Sequence, residues 1–209
     1  MAYKNKPIEV IKYPTCMYEL VDAVHDMFRL RDNPLEYLHK EWKPDDVLKR
    51  ENDQNTPFHA RFYGAFERIN GEYKNLLKEV IKPYIGEPIV YQTVPTFRIQ
   101  FPDNVAVGEK HKDSDYSHSK EEINFWLPLT QVQAPNAVWI EDKPYPVNYG
   151  EILVFDGANL EHENKVNKTT VTRVSFDFRV IPKRKFVPSK SKTINTGLVM
   201  DIGGYWSEM

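Results

Sequence analysis

Apolar positions recur at helical spacing through the first part of the chain, then give way to short segments rich in β-branched and aromatic residues. After an extended start and Pro14, the residues Met17, Leu20, Val21, Val24, Met27 and Phe28 fall on one stripe. This predicts an amphipathic helix over 16–30, with Thr15 available as N-cap. Asn33-Pro34-Leu35-Glu36 joins a cap residue, a proline at the first helical position and a glutamate three residues after the cap, so a second, short helix is expected there. Lys43-Pro44-Asp45-Asp46 has the same form and predicts another start. From Thr56 to Lys82 the set Phe62, Phe66, Ile69, Tyr73, Leu76, Leu77 and Val80 keeps helical spacing; Gly64 and Gly71 weaken it slightly, and Pro83 is expected to end it.

Past Gly86 the pattern predicts strands over 88–93, 95–101, 122–130, 136–141, 151–155 and 170–181, with shorter pieces over 107–111 and 160–163. Asn148-Tyr149-Gly150 and Asp156-Gly157 supply turn residues between them. Helices followed by many strands imply an α+β protein, and the strand count suits a double-stranded β-helix, a jelly roll or cupin-like barrel with the N-terminal helices packed on its sheet. The expected organisation is one domain over 1–209: a mainly helical part over 1–86, the β-helix core over 87–182 and a C-terminal tail over 183–209. The tail carries Gly203-Gly204 just before Tyr205-Trp206. Packing back onto the domain and acting as a mobile lid are both open for it.

Composition narrows the class. In 209 residues, aromatics make up 13% and the apolar set 41%, which fits a packed globular chain. The 28 basic and 30 acidic residues nearly cancel, which points away from nucleic acid and from anionic membrane surfaces as partners. The N-terminal MAYKNKPIEVIKYP lacks the apolar stretch of a signal peptide, and no run approaches bilayer-spanning length, so a cytoplasmic monomer or homodimer is expected. Cys16, the lone cysteine, excludes an intramolecular disulfide and a cysteine-rich zinc site.

The chemistry-bearing residues are His111-Lys112-Asp113, then His162, then Arg173-Val174-Ser175. On one strand, His111 and Asp113 would project from the same side, and a late strand starting at Leu160-Glu161-His162 can lie beside it. Two imidazoles and a carboxylate bind one face of a ferrous ion and leave the opposite face for a bidentate 2-oxo acid and dioxygen. Because Asp113 fills the carboxylate position, no site is left for a halide, and hydroxylation or a related oxidation is preferred to halogenation. Arg173, Ser175 and Asp177 alternate on one face of their strand, opposite Val174, Phe176 and Phe178. A forked guanidinium with a hydroxyl beside it suits the far carboxylate of 2-oxoglutarate. Asn124 shares a face with Trp126 and is a candidate contact for the metal-proximal carboxylate, with Arg98 or Gln100 as alternatives.

His118 is the rival first ligand. Its sequence offers no carboxylate two residues on, so it reads as a loop histidine near the cavity mouth, able to touch substrate. His25, His39 and His59 lack a histidine-and-carboxylate companion at ligand spacing and read as structural or exposed. Trp126 and Trp139 are candidates for cavity wall or core, and Lys183-Arg184-Lys185 for a solvated patch.

At His111 to Tyr116, Glu122 to Thr130, Gly150 to Phe155 and His162 to Arg179, the chain resembles the iron(II)/2-oxoglutarate-dependent oxygenases. More narrowly, it is similar to the StrG-like streptomycin-biosynthesis group of their phytanoyl-hydroxylase-like branch. The resemblance runs roughly from Thr96 to Pro182. It implies a double-stranded β-helix, Fe(II), 2-oxoglutarate and dioxygen, with succinate and carbon dioxide as coproducts. It carries the metal-ligand role to His111, Asp113 and His162 and the cosubstrate role to Arg173. Ser175 matches an Arg-x-Ser variant, and Asn124 is a further cosubstrate contact. The expected function is oxidation, hydroxylation foremost, of a small molecule. The alternatives are a cupin-like module that binds a sugar or small acid without oxygenase activity, and a metal-dependent cupin enzyme that does not use 2-oxoglutarate.

Overall fold

A computed structural model describes residues 6–30, 33–42, 54–106, 109–193 and 196–209; the expected helix start at Lys43-Pro44-Asp45-Asp46 lies outside them. The first helix, α1 (Leu20–Phe28), buries Leu20, Val24, Met27 and Phe28 and ends where Arg29 turns left-handed at φ 53°. It is shorter than its stripe. Thr15–Met17 form a separate 3-10 turn without a side-chain cap, which leaves Met17 61% exposed. At Pro34 the proline stands at the cap itself, ahead of a 3-10 turn Leu35–Tyr37 and the single turn α2 (Leu38–Glu41). Asn33, expected to cap this helix, instead donates its side-chain amide to Glu41 at 2.6 Å.

The long apolar run becomes α3 (Pro57–Ala65), capped by Thr56 on the His59 N–H, and α4 (Glu67–Leu76), which passes into a π-turn over Leu77–Ile81 and ends in α5 (Lys82–Ile85). Pro83 does not stop the run. A proline lacks the N–H donor and crowds the carbonyl four residues back, and the wider π-turn immediately before it takes up the extra residue. The stop comes at Gly86, whose φ of 84° few other residues adopt.

Among the described residues, ten strands follow the expected order, with three additions. They are β1 (Ile8–Lys12), β2 (Ile89–Gln92), β3 (Thr96–Gln100), β4 (Ile123–Pro128), β5 (Val138–Ile140), β6 (Lys143–Tyr145), β7 (Glu151–Phe155), β8 (His162–Asn164), β9 (Arg173–Pro182) and β10 (Trp206–Glu208). The additions are β1, β6 and β10. All pairings between these strands are antiparallel. A large sheet runs β1-β7-β4-β9-β2-β10, with β3 also paired to β9, and a small sheet runs β6-β5-β8. Among the described residues 109–111, only His111 pairs, in an isolated bridge to His162.

Alternation gives the large sheet two unlike faces. Toward the helices it turns Phe97, Phe125, Phe176 and Phe178, which join Phe28 and Phe62 in the main core. Phe62 stacks on Phe97 with ring centroids 4.3 Å apart, and Phe125 on Phe178 at 5.3 Å. Toward the small sheet it turns Trp126, Leu153 and Phe155, which pack with Val138 and Ile140. The polar residues of β3, β4 and β9 share that second face with them. The tail packs back: β10 pairs with β2, and Tyr205 and Trp206 join a third cluster with Val90, Ile181 and Met200. Among the described residues, no helix is long and apolar enough to cross a membrane.

Candidate metal centre

His111 is held beside His162 by a backbone bridge, with N–H to carbonyl distances of 3.1 and 2.9 Å. Asp113 does not lie on a strand with His111 as the spacing suggests. It opens a 3-10 turn, Asp113–Tyr116, and its N–H donates to the Gly157 carbonyl at 2.8 Å. The side chains converge all the same. One ligand atom from each of His111, Asp113 and His162 lies within 4.8 Å of the others. Asp113 Oδ1 stands 3.4 Å from His111 Nε2 and 3.5 Å from His162 Nε2.

Each ring is fixed from behind. His111 Nδ1 faces the Glu109 carbonyl at 2.5 Å and His162 Nδ1 the Leu160 carbonyl at 3.1 Å. A carbonyl only accepts, so Nδ1 carries the proton and the Nε2 lone pair is left for a cation. The second carboxylate oxygen is saturated: Asp113 Oδ2 accepts from Asn124 Nδ2 at 2.7 Å, from Arg179 Nε at 2.8 Å and lies 2.8 Å from Arg179 Nη2. Burial opposes ionisation of Asp113, yet the Arg179 charge and the two imidazoles outweigh it and hold the carboxyl well below the usual range.

Arg179 was not singled out from the sequence. Extending the alternation of Arg173, Ser175 and Asp177 by one more step would have put it on the same face. Its task became visible only with the pairing of β4 and β9, which sets Asn124 directly opposite Arg179. Asn124 therefore spends one of its two amide hydrogens on Asp113, and its Oδ1, buried without a partner among the described residues, can only accept and so cannot bond a cosubstrate carboxylate. Gly157 keeps that packing possible: a Cβ there would fall 2.5 Å from Asn124 Nδ2.

Arg173 and Ser175 do share a space, as alternation predicts. The guanidinium is fully buried beside the Trp126 ring, with Nη1 donating to the Asn136 carbonyl at 2.9 Å and Asn164 Oδ1 at 2.8 Å. Nε, Nη2 and the Ser175 Oγ are buried with no hydrogen-bond partner among the described residues. Burial, reinforced by Arg98 and opposed by Asp177, pushes the Arg173 pKa down to about 9. Arg98 and Gln100 stand opposite Ser175 and Arg173 on β3. Arg98 is paired to Asp177 at 2.9 Å, and Gln100 donates to the Lys165 carbonyl at 2.5 Å.

A cavity of about 770 Å³ opens onto the metal site, lined by His111, Asp113, Arg179 and His118, with Phe66 from the helical part and Tyr205 from the tail among its walls. His118 is not a ligand in this arrangement; its Nδ1 meets Glu122 Oε2 at 2.7 Å. His25 contacts the Asn33 carbonyl and His39 the Thr172 hydroxyl, and His59 is buried between Thr56 and the Phe97 carbonyl. All three serve the framework. Cys16 is exposed, and Lys183, Arg184 and Lys185 pair with surface carboxylates.

No protein-family model matches the chain. Among solved structures it is similar to the non-heme alpha ketoglutarate dependent carbocyclase SnoK from nogalamycin biosynthesis, with a TM-score of 0.49 and 12% identity over 69% of this chain and 73% of that one. It is also similar to HygX from Streptomyces hygroscopicus with nickel and 2-oxoglutarate bound, with a TM-score of 0.44 and 14% identity over 94% and 92%. In sequence it is 38% identical to the streptomycin biosynthesis protein StrG of Streptomyces griseus over 196 residues, 94% of this chain and 96% of that protein. With identity at that level over nearly the whole length of both, the chain belongs to the same family as StrG.

Proposed function

We propose that the protein is an iron(II)- and 2-oxoglutarate-dependent dioxygenase that oxidises a small molecule, hydroxylation foremost, with release of succinate and carbon dioxide. The observation that carries this is the convergence of His111, His162 and Asp113 ligand atoms, with each ring's Nδ1 on a backbone carbonyl so that Nε2 is left for a cation. Two imidazoles and one monodentate carboxylate suit a ferrous ion with an open face. When bound, that ion and the 2-oxo acid together supply the activation of dioxygen.

The chain's own part is to bind, orient and exclude water. His111, Asp113 and His162 hold the ion, while Arg179 and Asn124 keep Asp113 from presenting both oxygens. Arg173 and Ser175 take the far carboxylate, since three buried polar atoms without partners suit a ligand that accepts two guanidinium hydrogens and one hydroxyl hydrogen. The two antiparallel sheets, with the polar residues turned between them, support a double-stranded β-helix in a single domain. The cavity suits a metabolite-sized substrate, and the relative's role in streptomycin biosynthesis fits a polar one. An enzyme that draws on 2-oxoglutarate fits the cytoplasm.

The test is direct. Anaerobic Fe(II) with 2-oxoglutarate is expected to give a weak visible charge-transfer band, and admitting air to release succinate. His162→Ala should remove both. A wild-type protein that gives neither band nor succinate would leave the cupin-like binding module as the better reading.

A further inference from the structure

One pair at the cavity lies outside both the ligand set and the Arg173 pocket: His118 in the wall and Glu122 buried behind it. His118 lies in a short loop after the metal turn, anchored by its own N–H on the Asp113 carbonyl at 3.4 Å. Its Nδ1 meets Glu122 Oε2 at 2.7 Å, and the other oxygen of that carboxylate accepts the Ser119 N–H at 2.7 Å. Glu122 is itself buried, with Arg179 Nε 3.7 Å away, and the Tyr205 ring packs edgewise on the imidazole at 5.9 Å.

Glu122 Oε2 accepts at Nδ1, so Nδ1 carries the proton, and the ring in that tautomer presents Nε2 as an acceptor. Nε2 makes no hydrogen bond among the described residues, and His118 lines the cavity together with His111 and Asp113. A dyad held this firmly, beside the metal but outside its ligand set, is built to receive a donor. The rest of the wall points to the kind of molecule that brings one. Thr93, Thr96, Thr193, Thr196 and Tyr63 line it beside apolar Phe66, Val94 and Leu198; their hydroxyl oxygens are bonded within the protein, each with a lone pair that can accept from a further donor, while the arginines there are matched to Asp177 and Asp113.

We propose that His118 seats the primary substrate by accepting a hydrogen bond at Nε2 from a hydroxyl of a polyhydroxylated molecule of the sugar or cyclitol class, and that Glu122 is its positioning residue. The assignment rests on the oxygenase reading for the chemistry that follows binding, but binding itself can be measured apart from turnover. Metal-loaded protein with 2-oxoglutarate is titrated calorimetrically, without oxygen, with myo-inositol, glucosamine and streptomycin.

At least one of these is expected to bind, with His118→Leu raising its Kd about tenfold and Glu122→Gln by a smaller factor. His118→Gln, which keeps an acceptor, should recover part of the loss, and melting curves confirm that each variant folds. Independently, nitrogen NMR of the His118 ring is expected to show the proton on Nδ1. No binding by any of the three, an unchanged Kd in His118→Leu, or a ring protonated at Nε2 alone would each overturn the assignment. A wild-type protein that binds one of them yet forms no succinate would overturn the oxygenase reading and leave this one standing.

Discussion

Arg173, fully buried, and Arg179, which reaches the cavity, stand on the same face of β9, yet their surroundings treat them oppositely. Arg179 spends Nε and Nη2 on Asp113 and a third nitrogen, Nη1, on the Tyr205 hydroxyl at 3.3 Å. Arg173 has bonds on Nη1 alone and leaves Nε and Nη2 bare. A buried donor without a partner costs on the order of 1–3 kcal/mol, more when charged. A saturated arginine is therefore part of the framework, and an unsatisfied one marks where an anion from outside belongs. On the proposed function, the same face of one strand would hold the metal's carboxylate at one end and take the cosubstrate's at the other.

Replacing each arginine by methionine is the strongest way to break this comparison. Arg179→Met strands a buried carboxylate and should cost roughly 3–5 kcal/mol of stability, a fall of roughly 10 °C in melting temperature, together with most of the metal affinity. Arg173→Met removes a buried charge that lacks a carboxylate of its own. The ligand-free protein should then melt no lower than wild type, while the KM for 2-oxoglutarate rises roughly 100-fold. Melting curves and succinate release check both. Equal losses of stability in the two variants would erase the distinction.

A smaller effect is expected one layer out. In Gly157→Ala the new methyl meets the Asn124 amide and must move it off Asp113, which should weaken metal binding about tenfold. Asn124→Ala should do the same. The double variant should be little worse than either, because both changes remove one hydrogen bond. Full additivity in a calorimetric metal titration would show that Gly157 acts by another route.

The sequence reveals what depends on local rules and hides what depends on register. β7 falls where the apolar run 151–155 places it, and the alternation on β9 separates Arg173 and Ser175 from Val174 and Phe176 as the two-residue period requires. His111, Asp113 and His162 are legible because their types and order suffice, even though Asp113 reaches the site from a 3-10 turn. Arg179 is not legible, because its role comes from lying opposite Asn124 on a different strand. The tail is hidden for the same reason: nothing near Trp206 in sequence announces that β2 has a free edge. Pro83 misleads because the π-turn that accommodates it leaves no mark in the apolar spacing.

The smallest expected effect separates the saturated end from its own ligands by pH. Burial opposes protonation of His111, but hydrogen bonds to Asp113 and the Glu109 carbonyl and the Asp113 charge outweigh it, so its pKa lies above the ordinary value in the metal-free protein. A raised pKa contributes stability that is fully present below the unfolded value, about 6.5, and is lost as pH rises through the folded one. Asp113, depressed, contributes stability present above about 3.9 and lost only as pH falls through its lower folded value, so it is constant from pH 6 to 8.5. Burial lowers His39, whose contribution runs the other way. The comparison is therefore made against His111→Gln: the metal-free wild type should gain more melting temperature than this variant between pH 8.5 and pH 6. Metal binding has the opposite sign, since the ion needs the unprotonated ring, and its affinity should fall over the same interval. A wild type that gains no more than the variant would mean that Arg179 and Asn124 already satisfy Asp113 so fully that His111 feels nothing of its charge.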